Sequence, residues 1–567
     1  MKNLEVAKIL NEIADLLEMK GVEFKPRAYR KAARTVRSLS RDIEDVKDEG
    51  QLTELPGIGE SIAEKIIEIV DTGSLEYYQD LEKEFPIDYE SLLAVEGLGP
   101  KTIKLLYREL DIKTLDDLEE AASEHRIREL GGMGEKTEKK ILENIKYVRE
   151  KTGRSLLGFA LPVAKDFKSK LETLEVVDKI VIAGSIRRRK ETIGDIDLLV
   201  TTKKPSEVME SFTHLDRVDQ IVAEGEAKST VRLKMGIEAD LRVLDEESFG
   251  SGLMYFTGSK ETNIEMRKIA MKKDLKLNEY GLFDGEQSIA GQTEKEVFKE
   301  LGMEYIPPEL RENRGEVEAA LKGKIPKLIG YDELKGDLQM HTKWSDGSYT
   351  IEEMAEAGQE MGYDYIALTD HTGTLRIAGG MNEGEIRKQM KKIDEINQKM
   401  EGFTILKGVE VNIDSDGELD VEDEVLEGLD IVVASVHSGF RQGKEKITGR
   451  IISAMENENV DIIAHPTGRK VQQRKAYDLD FDKIFEASKR TGTFLEINSY
   501  PNRLDLNDIN VKRAIDAGCK LVIDADSHST EHLRYIEFGL ATARRGWAKK
   551  EDIINTLPLE KLRKVLS

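Results

Sequence analysis

The last third of the chain alternates short apolar runs with longer stretches whose apolar residues recur at helical spacing. This alternation is typical of parallel strands joined by crossover helices. Seven runs predict a multidomain α/β protein whose carboxyl-terminal part, residues 336–567, is a (β/α)7 barrel. The runs are DLQM (337–340), YIALTD (365–370), ILKGVEV (405–411), IVVASVH (431–437), DIIAHP (461–466), FLEINS (494–499) and LVIDADSH (521–528).

Polar residues stand at or just past the carboxyl ends of these runs. In a barrel of parallel strands those ends form the face on which active sites are built. One histidine in such a place is more often a satisfied core residue, but five of the eight histidines together with two acids favour a metal centre. Imidazole and carboxylate ligands suit Zn2+, Mn2+ or Fe2+. The candidate ligands are His341, His371, Glu410, His437, His465, Asp526 and His528.

A different pattern occupies residues 182–200, where apolar residues alternate with Asp195 and Asp197. Alternate residues of a strand point the same way, so these two carboxylates share one face. A neighbouring pair of alternating runs adds a third acid, Asp240, on its polar face. A lone Asp-x-Asp usually marks only the solvent-exposed face of a strand. The three carboxylates together, however, suit Mg2+, which takes carboxylate oxygens, water and substrate phosphates as ligands.

The residues upstream of Asp195 supply phosphate-binding chemistry. Gly184 and Ser185 can offer backbone N–H groups to a phosphate, and the arginines from Arg187 onward can neutralise it. The whole string therefore predicts a site for a metal-bound triphosphate. Its form, a small residue before Gly-Ser, a short spacer and then Asp-apolar-Asp-apolar, resembles the signature of the nucleotidyltransferase palm, and the resemblance implies a palm over residues 150–245.

Three repeats precede the palm, each an apolar residue, a Gly-x-Gly turn and a helix. Such turns aim backbone N–H groups at a helix N-terminus toward an anion. One would be weak evidence, but three spaced by about 40 residues are strong evidence of a repeat. The repeats resemble helix-hairpin-helix motifs, which hold the DNA backbone without reading sequence. They predict helical DNA-binding regions over 1–80 and 81–149. The glycines are Gly57, Gly59, Gly97, Gly99, Gly132 and Gly134.

The first of these regions also carries a row of basic residues from Arg27 to Arg41 at helical spacing. A charged row is often only the solvated face of a helix. Because almost no acid interrupts this one, we favour contact with the DNA backbone.

Composition limits these interpretations. The net charge of -24 excludes a protein coated in basic surface, so contacts with nucleic acid must be local. The single cysteine, Cys519, excludes an internal disulfide. The first residues follow helical spacing with acids between them, unlike a signal peptide, and no apolar run reaches the length of a membrane span. We therefore expect a cytoplasmic, nucleoid-associated protein without membrane contact.

Residues 182–200, the pair of runs at 231–244 and the segment 255–283 together resemble family X DNA polymerases, the group containing DNA polymerase beta. The resemblance implies a thumb over 246–318 and a role for each matched residue. Asp195, Asp197 and Asp240 would hold Mg2+ or Mn2+, and Gly184, Ser185 and Arg188 would bind the triphosphate. Tyr255, Phe256 and Gly258 would form the wall of the pocket on the sugar side. Asn263 would contact the incoming base, and Arg267 would contact the template strand. Glu238 departs from the pattern, since the vertebrate enzyme has an arginine there.

After a linker at 319–335, the motifs HTKWSDG, TDH, GVE, VH, AHP and DADSH resemble the polymerase and histidinol phosphatase (PHP) superfamily of metal-dependent phosphoesterases. The resemblance implies up to three metals. Glu410 would bridge two metals, and His437 with His465 would complete the site of one of them. Asp346, His371 and His528 would hold another metal, and His341 with Asp526 would hold a third. Arg469 and Arg503 would contact phosphate. The family motif opens His-x-His, whereas Gln339 stands in the first place here.

Lys65, in the helix after the first Gly-x-Gly turn, matches the lysine that forms a Schiff base with an abasic sugar in polymerase beta-like enzymes. A Schiff-base lysine needs a lowered pKa, reached by burial or neighbouring cations. The alternative is a lysine that lies near phosphate and does no covalent chemistry. The sequence leaves both open.

The resemblances cover nearly the whole chain. They predict a gap-filling DNA polymerase of family X, acting as a monomer on gapped or nicked DNA and dNTPs, coupled to a 3'-5' exonuclease that could also act as an abasic-site endonuclease, a 3'-phosphatase or, through Lys65, a lyase. Two alternatives remain. The polymerase half could serve only as a DNA grip for a phosphoesterase, or the barrel could be a metal-stabilised scaffold.

Overall fold

The fold was analysed in a computed structural model, which describes residues 2–37, 39, 43–72, 74–85, 87–93, 95, 97–149, 153–373 and 378–566. The chain divides into two compact units. The first comprises Met1–Thr152 with the segments Gln472–Lys475 and His528–Glu531, and the second comprises Gly153–Val471, Ala476–Ser527 and His532–Ser567. Among the described residues, no helix combines the length and the apolar character needed to cross a bilayer. The finer domain boundaries remain predictions.

The first unit is helical. The apolar residues of its first helix, including Leu10 and Ile13, are buried in one core together with those of the later helices, because their spacing of three and four places them on one face. Arg41 of the predicted basic row lies outside the described residues. The helices are α1 (Lys2–Lys20), α2 (Lys25–Arg37), α3 (Ile43–Asp48), α4 (Glu60–Thr72), α5 (Glu76–Glu84), α6 (Tyr89–Leu93), α7 (Pro100–Leu110), α8 (Leu115–Ser123) and α9 (Glu135–Arg149).

The second unit begins with a five-stranded sheet of order β2-β4-β7-β6-β5, in which only β4 and β7 run parallel. Helices α10 and α12 contact this sheet and share its apolar core. The elements are β1 (Ser155–Leu156), α10 (Leu157–Glu172), β2 (Val177–Ile182), α11 (Gly184–Arg187), β3 (Thr192–Ile193), β4 (Asp195–Thr202), α12 (Pro205–Thr213), β5 (Val218–Ala223), β6 (Lys228–Leu233) and β7 (Glu238–Val243).

A smaller α+β region follows, with an antiparallel three-stranded sheet and its own apolar cluster. Capping residues set two of its helices: the Ser259 hydroxyl accepts from the Thr262 N–H, and Thr293 and Glu296 form a capping box. The elements are α13 (Phe249–Thr257), α14 (Lys260–Met271), β8 (Leu275–Asn278), β9 (Gly281–Asp284), β10 (Gln287–Ala290), α15 (Glu294–Glu300) and α16 (Glu316–Leu321).

The remainder is a parallel barrel whose seven strands pair in chain order. It is nearly closed, because the first and last strands meet at a bridge between Met340 and Ser527. Each predicted run contains one strand, so the predicted (β/α)7 fold is confirmed. The strands are β11 (Gly336–Met340), β12 (Tyr365–Leu368), β13 (Thr404–Asn412), β14 (Ile431–Ser435), β15 (Ile462–Ile463), β16 (Phe494–Asn498) and β17 (Leu521–Asp524).

The helices of the barrel begin at clear capping signals. Thr350 with Glu353, and Asn382 with Glu385, form capping boxes that satisfy the first N–H groups of two helices. The helices are α17 (Ile351–Glu360), α18 (Glu383–Asn397), α19 (Asp423–Leu426), α20 (Lys444–Met455), α21 (Phe481–Thr491), α22 (Asp508–Ala517), α23 (Ile536–Arg545) and α24 (Leu559–Leu566).

Candidate active sites

The three predicted palm carboxylates meet at one edge of the five-stranded sheet. Strand β4 alternates at its start, with Ile196 buried between the exposed Asp195 and the half-buried Asp197. The parallel register of β4 and β7 places Asp197 directly opposite Asp240. Neighbouring strands lie about 5 Å apart, so the three acids share one small surface.

The charge of this surface favours a divalent cation. Burial, together with the nearby Asp195 and Asp240, raises the pKa of Asp197 to about 7. Lys228 and Arg242 approach Asp240 at 2.7 and 3.1 Å and offset only part of the negative charge. Carboxylates that repel one another in this way are the ligands that hard divalent metals use.

The turn at Gly184 brings the phosphate-binding residues beside these acids. Gly184 has φ +62°, and a Cβ there would lie 2.2 Å from Asp197 Oδ2, so only glycine fits. Among the described residues nothing hydrogen-bonds the buried Ser185 hydroxyl, which suits a group awaiting a phosphate. The Arg188 guanidinium is already engaged: its Nε donates to Glu312 Oε1 at 3.0 Å, and its Nη1 donates to the Thr257 carbonyl.

The predicted nucleotide wall lies at the end of α13. The rings of Tyr255 and Phe256 meet edge to face with centroids 5.2 Å apart. Gly258, at φ +72°, leaves room for Arg188, whose Nη1 would lie 3.1 Å from an added Cβ. The Asn263 amide donates to the Tyr255 carbonyl at 2.7 Å. One turn further along α14, Arg267 is exposed.

The three Gly-x-Gly turns share one backbone geometry. Their first glycines, Gly57, Gly97 and Gly132, have φ of +85°, +98° and +85°, and helices α4, α7 and α9 begin directly after the second glycines. A positive φ at each first glycine is the conformation that only glycine adopts without cost. Gly59, Gly99 and Gly134 immediately precede these helices and are exposed or half-buried.

The surroundings of Lys65 give limited support to a Schiff-base role. Its Nζ donates to the Ser61 carbonyl at 3.1 Å and lies 5.1 Å from the centre of the Tyr77 ring, while the side chain is half-buried. Of the predicted basic row, Arg30 pairs with Asp15 and Glu18 at 2.6 Å each, which leaves it less free to bind a phosphate than the sequence suggests.

The barrel ligands converge on Glu410, whose side chain is 1% exposed. Its Oε1 lies 3.3 Å from the Nε2 atoms of His437 and His465, and its Oε2 lies 3.3 Å from His341 Nε2 and His371 Nδ1. His341 Nε2 is also 3.3 Å from Asp526 Oδ1. Ligand atoms of two overlapping triads, His371 with Glu410 and His437, and His341 with Glu410 and Asp526, lie within 4.8 Å of one another.

Protonation states in this centre fit metal binding. Burial lowers the pKa of both His371 and His465 to about 4, so both imidazoles are neutral at pH 7 and present lone pairs. Burial alone would raise the pKa of Glu410, but the surrounding histidines hold it well below its usual range. Asp526 and Glu410 raise the pKa of His341, so a metal there would displace a proton.

The remaining predicted barrel residues have the following neighbours. Asp346 Oδ1 lies 3.8 Å from His371 Nε2, and His528 directly follows Ser527, whose carbonyl accepts from the His341 N–H. Arg503 Nε lies 3.7 Å from Asp526 Oδ2. Arg469, predicted to contact phosphate, is instead engaged with Glu191 of the palm, with its Nη2 2.6 Å from Glu191 Oε2.

Sequence reasoning missed residues that hold the ligands in place. The buried Glu496 accepts a hydrogen bond from the His465 N–H, and Asn498 donates to Asp526 Oδ2 at 3.1 Å. Asp370 accepts from the Thr342 N–H at 2.7 Å and so orders the loop before Asp346. The signal was present, because all three are polar residues within or at the carboxyl end of an apolar run.

Gln339 lies at the place where the PHP motif usually has its first histidine. Its side chain is fully buried, and within the described part of the chain neither its amide oxygen nor its nitrogen has a hydrogen-bond partner. A buried amide left in this way normally serves a bound water or ion. The geometry is therefore compatible with a weak, neutral ligand to the metal centre.

Four segments match known families. Residues 1–75 match a helix-hairpin-helix domain, 89–146 a SAM-like helix-hairpin-helix tandem, 252–312 the DNA polymerase beta thumb, and 337–500 the PHP domain. Together with the palm acids and the barrel ligands, these matches define a polymerase of the beta type fused to a PHP barrel. The domains are those of a DNA-binding protein.

The particular family follows from a match over the whole chain. The chain is 38% identical over 565 residues to the DNA polymerase/3'-5' exonuclease PolX of Bacillus subtilis. The aligned residues make up 99% of this chain and 98% of that protein. The chain therefore belongs to the PolX family. The resemblance to family X polymerases with a PHP domain is confirmed.

Partial relatives match the two halves separately. A probable phosphatase of Thermoanaerobacter sp. is 32% identical over 231 residues, covering 39% of this chain and 89% of the phosphatase. DNA polymerase lambda of Rattus norvegicus is 24% identical over 340 residues, covering 55% of this chain and 56% of that protein.

Proposed function

We propose that the chain is a DNA polymerase that fills short gaps during DNA repair and carries a 3'-5' exonuclease in the same polypeptide. The observation that carries this proposal is the presence of two separate ligand sets, one of carboxylates on the palm sheet and one of imidazoles around Glu410. The Bacillus relative is named for the same pair of activities.

In the palm, Asp195, Asp197 and Asp240 hold Mg2+ or Mn2+. Such ions, when bound, help ionise the primer 3'-OH and stabilise the charge that develops as the α-phosphate of a dNTP is transferred. The Ser185 hydroxyl and the Gly184 turn bind the triphosphate oxygens. Arg188 neutralises their charge through a guanidinium already oriented by Glu312 and the Thr257 carbonyl.

The remaining residues of this half position DNA and nucleotide. Tyr255, Phe256 and Gly258 line the sugar side of the pocket, Asn263 contacts the incoming base, and the exposed Arg267 contacts the template strand. The Gly-x-Gly turns hold the backbone of gapped or nicked DNA through N–H groups at helix N-termini. For Lys65 we propose a lyase role only as a secondary activity.

In the barrel, up to three Zn2+, Mn2+ or Fe2+ ions are held by Glu410 and the ligands around it. Such ions supply an activated water for phosphodiester cleavage. The chain's part is to hold the 3' end near this centre, where Arg503 offsets the charge of the phosphate. The ligands are Glu410 with His437 and His465, Asp346 with His371 and His528, and His341 with Asp526.

The same centre can process other blocked ends, since cleavage beside an abasic site and removal of a 3'-phosphate also break a phosphoester by attack of water. A single chain carries both ligand sets, and we propose that it acts as a monomer. One-chain action is consistent with a primer that is trimmed and then extended.

The decisive experiment uses a 5'-labelled primer in a one-nucleotide gap, with Mg2+ and Mn2+, with and without dNTPs. Asp197→Ala should lower extension by roughly a thousandfold, the scale of losing one preorganised charge-stabilising group, and should leave trimming unchanged. His437→Ala should do the reverse.

The two variants control for each other. Loss of both activities in either variant, with a circular dichroism spectrum like that of the wild type, would contradict two separate sites. Extension without any trimming by the wild-type protein would instead favour a barrel that serves only as a scaffold.

A further inference from the structure

The segment Arg188–Glu191, which we call the phosphate loop, is contacted by the barrel at three of its four residues. The Arg545 Nη1 of α23 donates to the Arg188 carbonyl at 2.6 Å. Arg189 Nη2 lies 2.9 Å from Glu537 Oε1, also on α23. Glu191 Oε2 accepts from Arg469 Nη2 at 2.6 Å.

The strongest of these contacts is buried. The Arg545 side chain is 4% exposed, and its Nη1 also donates to Glu312 Oε1 at 3.1 Å. That oxygen also accepts from Arg188 Nε at 3.0 Å. Glu312 therefore joins the arginine of the barrel to the arginine that we assign to the triphosphate.

A second carboxylate fixes the other side of Arg545. Asp508 Oδ2 accepts from Arg545 Nε at 3.0 Å and Nη2 at 2.8 Å, and from Arg314 Nη1 at 2.9 Å. Asp508 is the first residue of α22, where the helix dipole favours a negative charge. Arg545 is thus held rigidly, because its three nitrogens all donate to buried or half-buried acceptors.

The charges of this cluster leave room for an anion. Three arginines, Arg188, Arg314 and Arg545, face only two carboxylates, Glu312 and Asp508, and Lys190 lies a further 3.6 Å from Glu312 Oε2. Arg188 and Arg545 are 12% and 4% exposed, so solvent screens their charge little and it favours a triphosphate. Arg314 and Lys190, 39% and 34% exposed, are screened more.

The backbone of the loop also requires support. Arg189 has φ +56°, in the left-handed region that non-glycine residues seldom adopt. Such a conformation persists only where surrounding contacts hold it. Local hydrogen bonds from the Arg189 and Lys190 N–H groups to the Ile186 and Ser185 carbonyls, at 2.9 and 3.1 Å, hold this turn. The barrel adds contacts from Arg545 to the Arg188 carbonyl and from Glu537 to the Arg189 side chain.

We propose that Arg545 of the PHP barrel is a positioning residue for the polymerase reaction. It holds the phosphate loop and, through Glu312, the guanidinium of Arg188 in the orientation that receives the incoming triphosphate. The barrel is then a structural part of the nucleotide site as well as a nuclease. This inference rests on the triphosphate role proposed for Arg188.

The test is single-nucleotide incorporation by the full-length chain, with dNTP varied at saturating gapped DNA. Arg545→Gln should raise the KM for dNTP about tenfold, within the range of coupling between linked sites, and change kcat by less than about threefold. Inhibition by inorganic tripolyphosphate should weaken by the same factor, because the substitution weakens binding of the triphosphate group. Trimming should be unchanged, and Arg545→Lys should restore part of the loss.

The matched control is Arg544→Gln. Arg544 neighbours Arg545 on α23 and also pairs with a thumb acid, Glu309 at 2.8 Å, but among the described residues it makes no hydrogen bond or ion pair with the phosphate loop. It should leave the KM for dNTP unchanged. Equal effects of the two variants would show that both only stabilise the packing of the barrel, and would overturn the inference.

Arg188→Gln separates this inference from the proposed function. If Arg188→Gln leaves the KM unchanged, the triphosphate role of Arg188 fails. If it raises the KM whereas Arg545→Gln does not, only the inference fails. Should Arg545→Gln lose trimming through misfolding, Glu537→Gln tests the loop through Arg189, and an unchanged KM in that variant would overturn the inference.

Discussion

The carboxylates of the two proposed catalytic centres differ in their surroundings, and their pKa values shift in opposite directions. On the palm sheet Asp195 is exposed, and burial with neighbouring charge raises the pKa of Asp197 to about 7. In the barrel Glu410 is buried among four imidazoles that hold its pKa well below the usual range. In the proposed palm site, nucleotide and water would therefore supply the metal ligands that the carboxylates do not. In the proposed barrel site, the protein itself would supply nearly all of the metal ligands.

This contrast has a chemical reason. Mg2+ keeps several waters and binds through one or two carboxylates plus substrate phosphates, which suits an open sheet edge. Imidazole-rich sites favour Zn2+, Mn2+ or Fe2+ and can bind them before any substrate arrives. Metal occupancy should then depend on the nucleotide in the palm and be independent of it in the barrel.

Metal removal and replacement should give the largest effect. After dialysis against excess chelator, both extension and trimming should be lost. Mg2+ alone should restore extension fully and trimming hardly at all, and Mn2+ should restore both. The measurement is the gapped-primer assay with each ion added singly, and full recovery of trimming with Mg2+ would remove the distinction between the centres.

The contrast extends to carboxyls away from the centres. Arg311 and Arg187 overcome burial to lower the pKa of Glu294, at the junction of palm and thumb, to about 2. Burial raises the pKa of Asp461, at the start of β15, to about 7. Ionised Glu294 stabilises its region above about pH 4.5, and this contribution is lost as the pH falls toward 2. Asp461 has the opposite effect on stability, because its raised pKa makes its ionisation at higher pH destabilise the fold.

Asp461→Asn should remove one pH-dependent contribution to the stability of the barrel. The folded barrel holds a proton on Asp461 between pH 3.8 and about 7, which the unfolded chain has lost, so this group destabilises the barrel as the pH rises through that window. The variant should be more stable than the wild type at pH 7 by roughly 2 kcal/mol, and equal to it near pH 4.

Tryptophan fluorescence during urea unfolding measures this directly. Both tryptophans, Trp344 and Trp547, lie in residues 336–567. Trp344 packs against the barrel core and Trp547 against the apolar cluster of the preceding α+β region, so the signal reports unfolding of the barrel together with that region. Asp430→Asn, at a half-buried acid that similarly accepts from the Lys407 N–H at 2.9 Å, is the matched control. A stability gap that does not change between pH 4 and 7 would contradict the raised pKa.

The smallest effect should come from Gln339→His. A histidine adds an imidazole ligand where the buried amide has no hydrogen-bond partner among the described residues. The variant should retain Mn2+ or Zn2+ about tenfold more tightly, the scale of one improved ligand or its support. Metal content per chain after graded dialysis measures this, with Gln339→Ala as the control. Equal retention by all three proteins would mean that this position does not face a metal.

Much of each centre could be predicted from the sequence because its ligands follow a short-range rule. Asp195 and Asp197 share a face since a strand has a period of two, and the histidines stand at strand ends since parallel strands all finish at one face. The first glycines of the three turns were equally visible, because a positive φ is a local requirement of the backbone. Such features need only neighbouring residues.

The remaining features depend on residues far apart in the chain. The hydrogen bond from Arg545 to the Arg188 carbonyl spans 357 residues, and that from Arg469 to Glu191 spans 278. Arg469 was expected at a phosphate because its loop resembles a motif, but the acid that engages it lies in another domain. The pKa of Glu410 likewise depends on four histidines from four different strand ends.

The sequence by itself determined the family, the barrel and the residues proposed as ligands, because these follow from local periodicity and from motifs. Only the tertiary structure decided which ligands share an atom of Glu410, which arginines are already engaged, and that the barrel supports the phosphate loop of the palm. Burial and long-range contacts set these properties, and they exist only once the chain has folded.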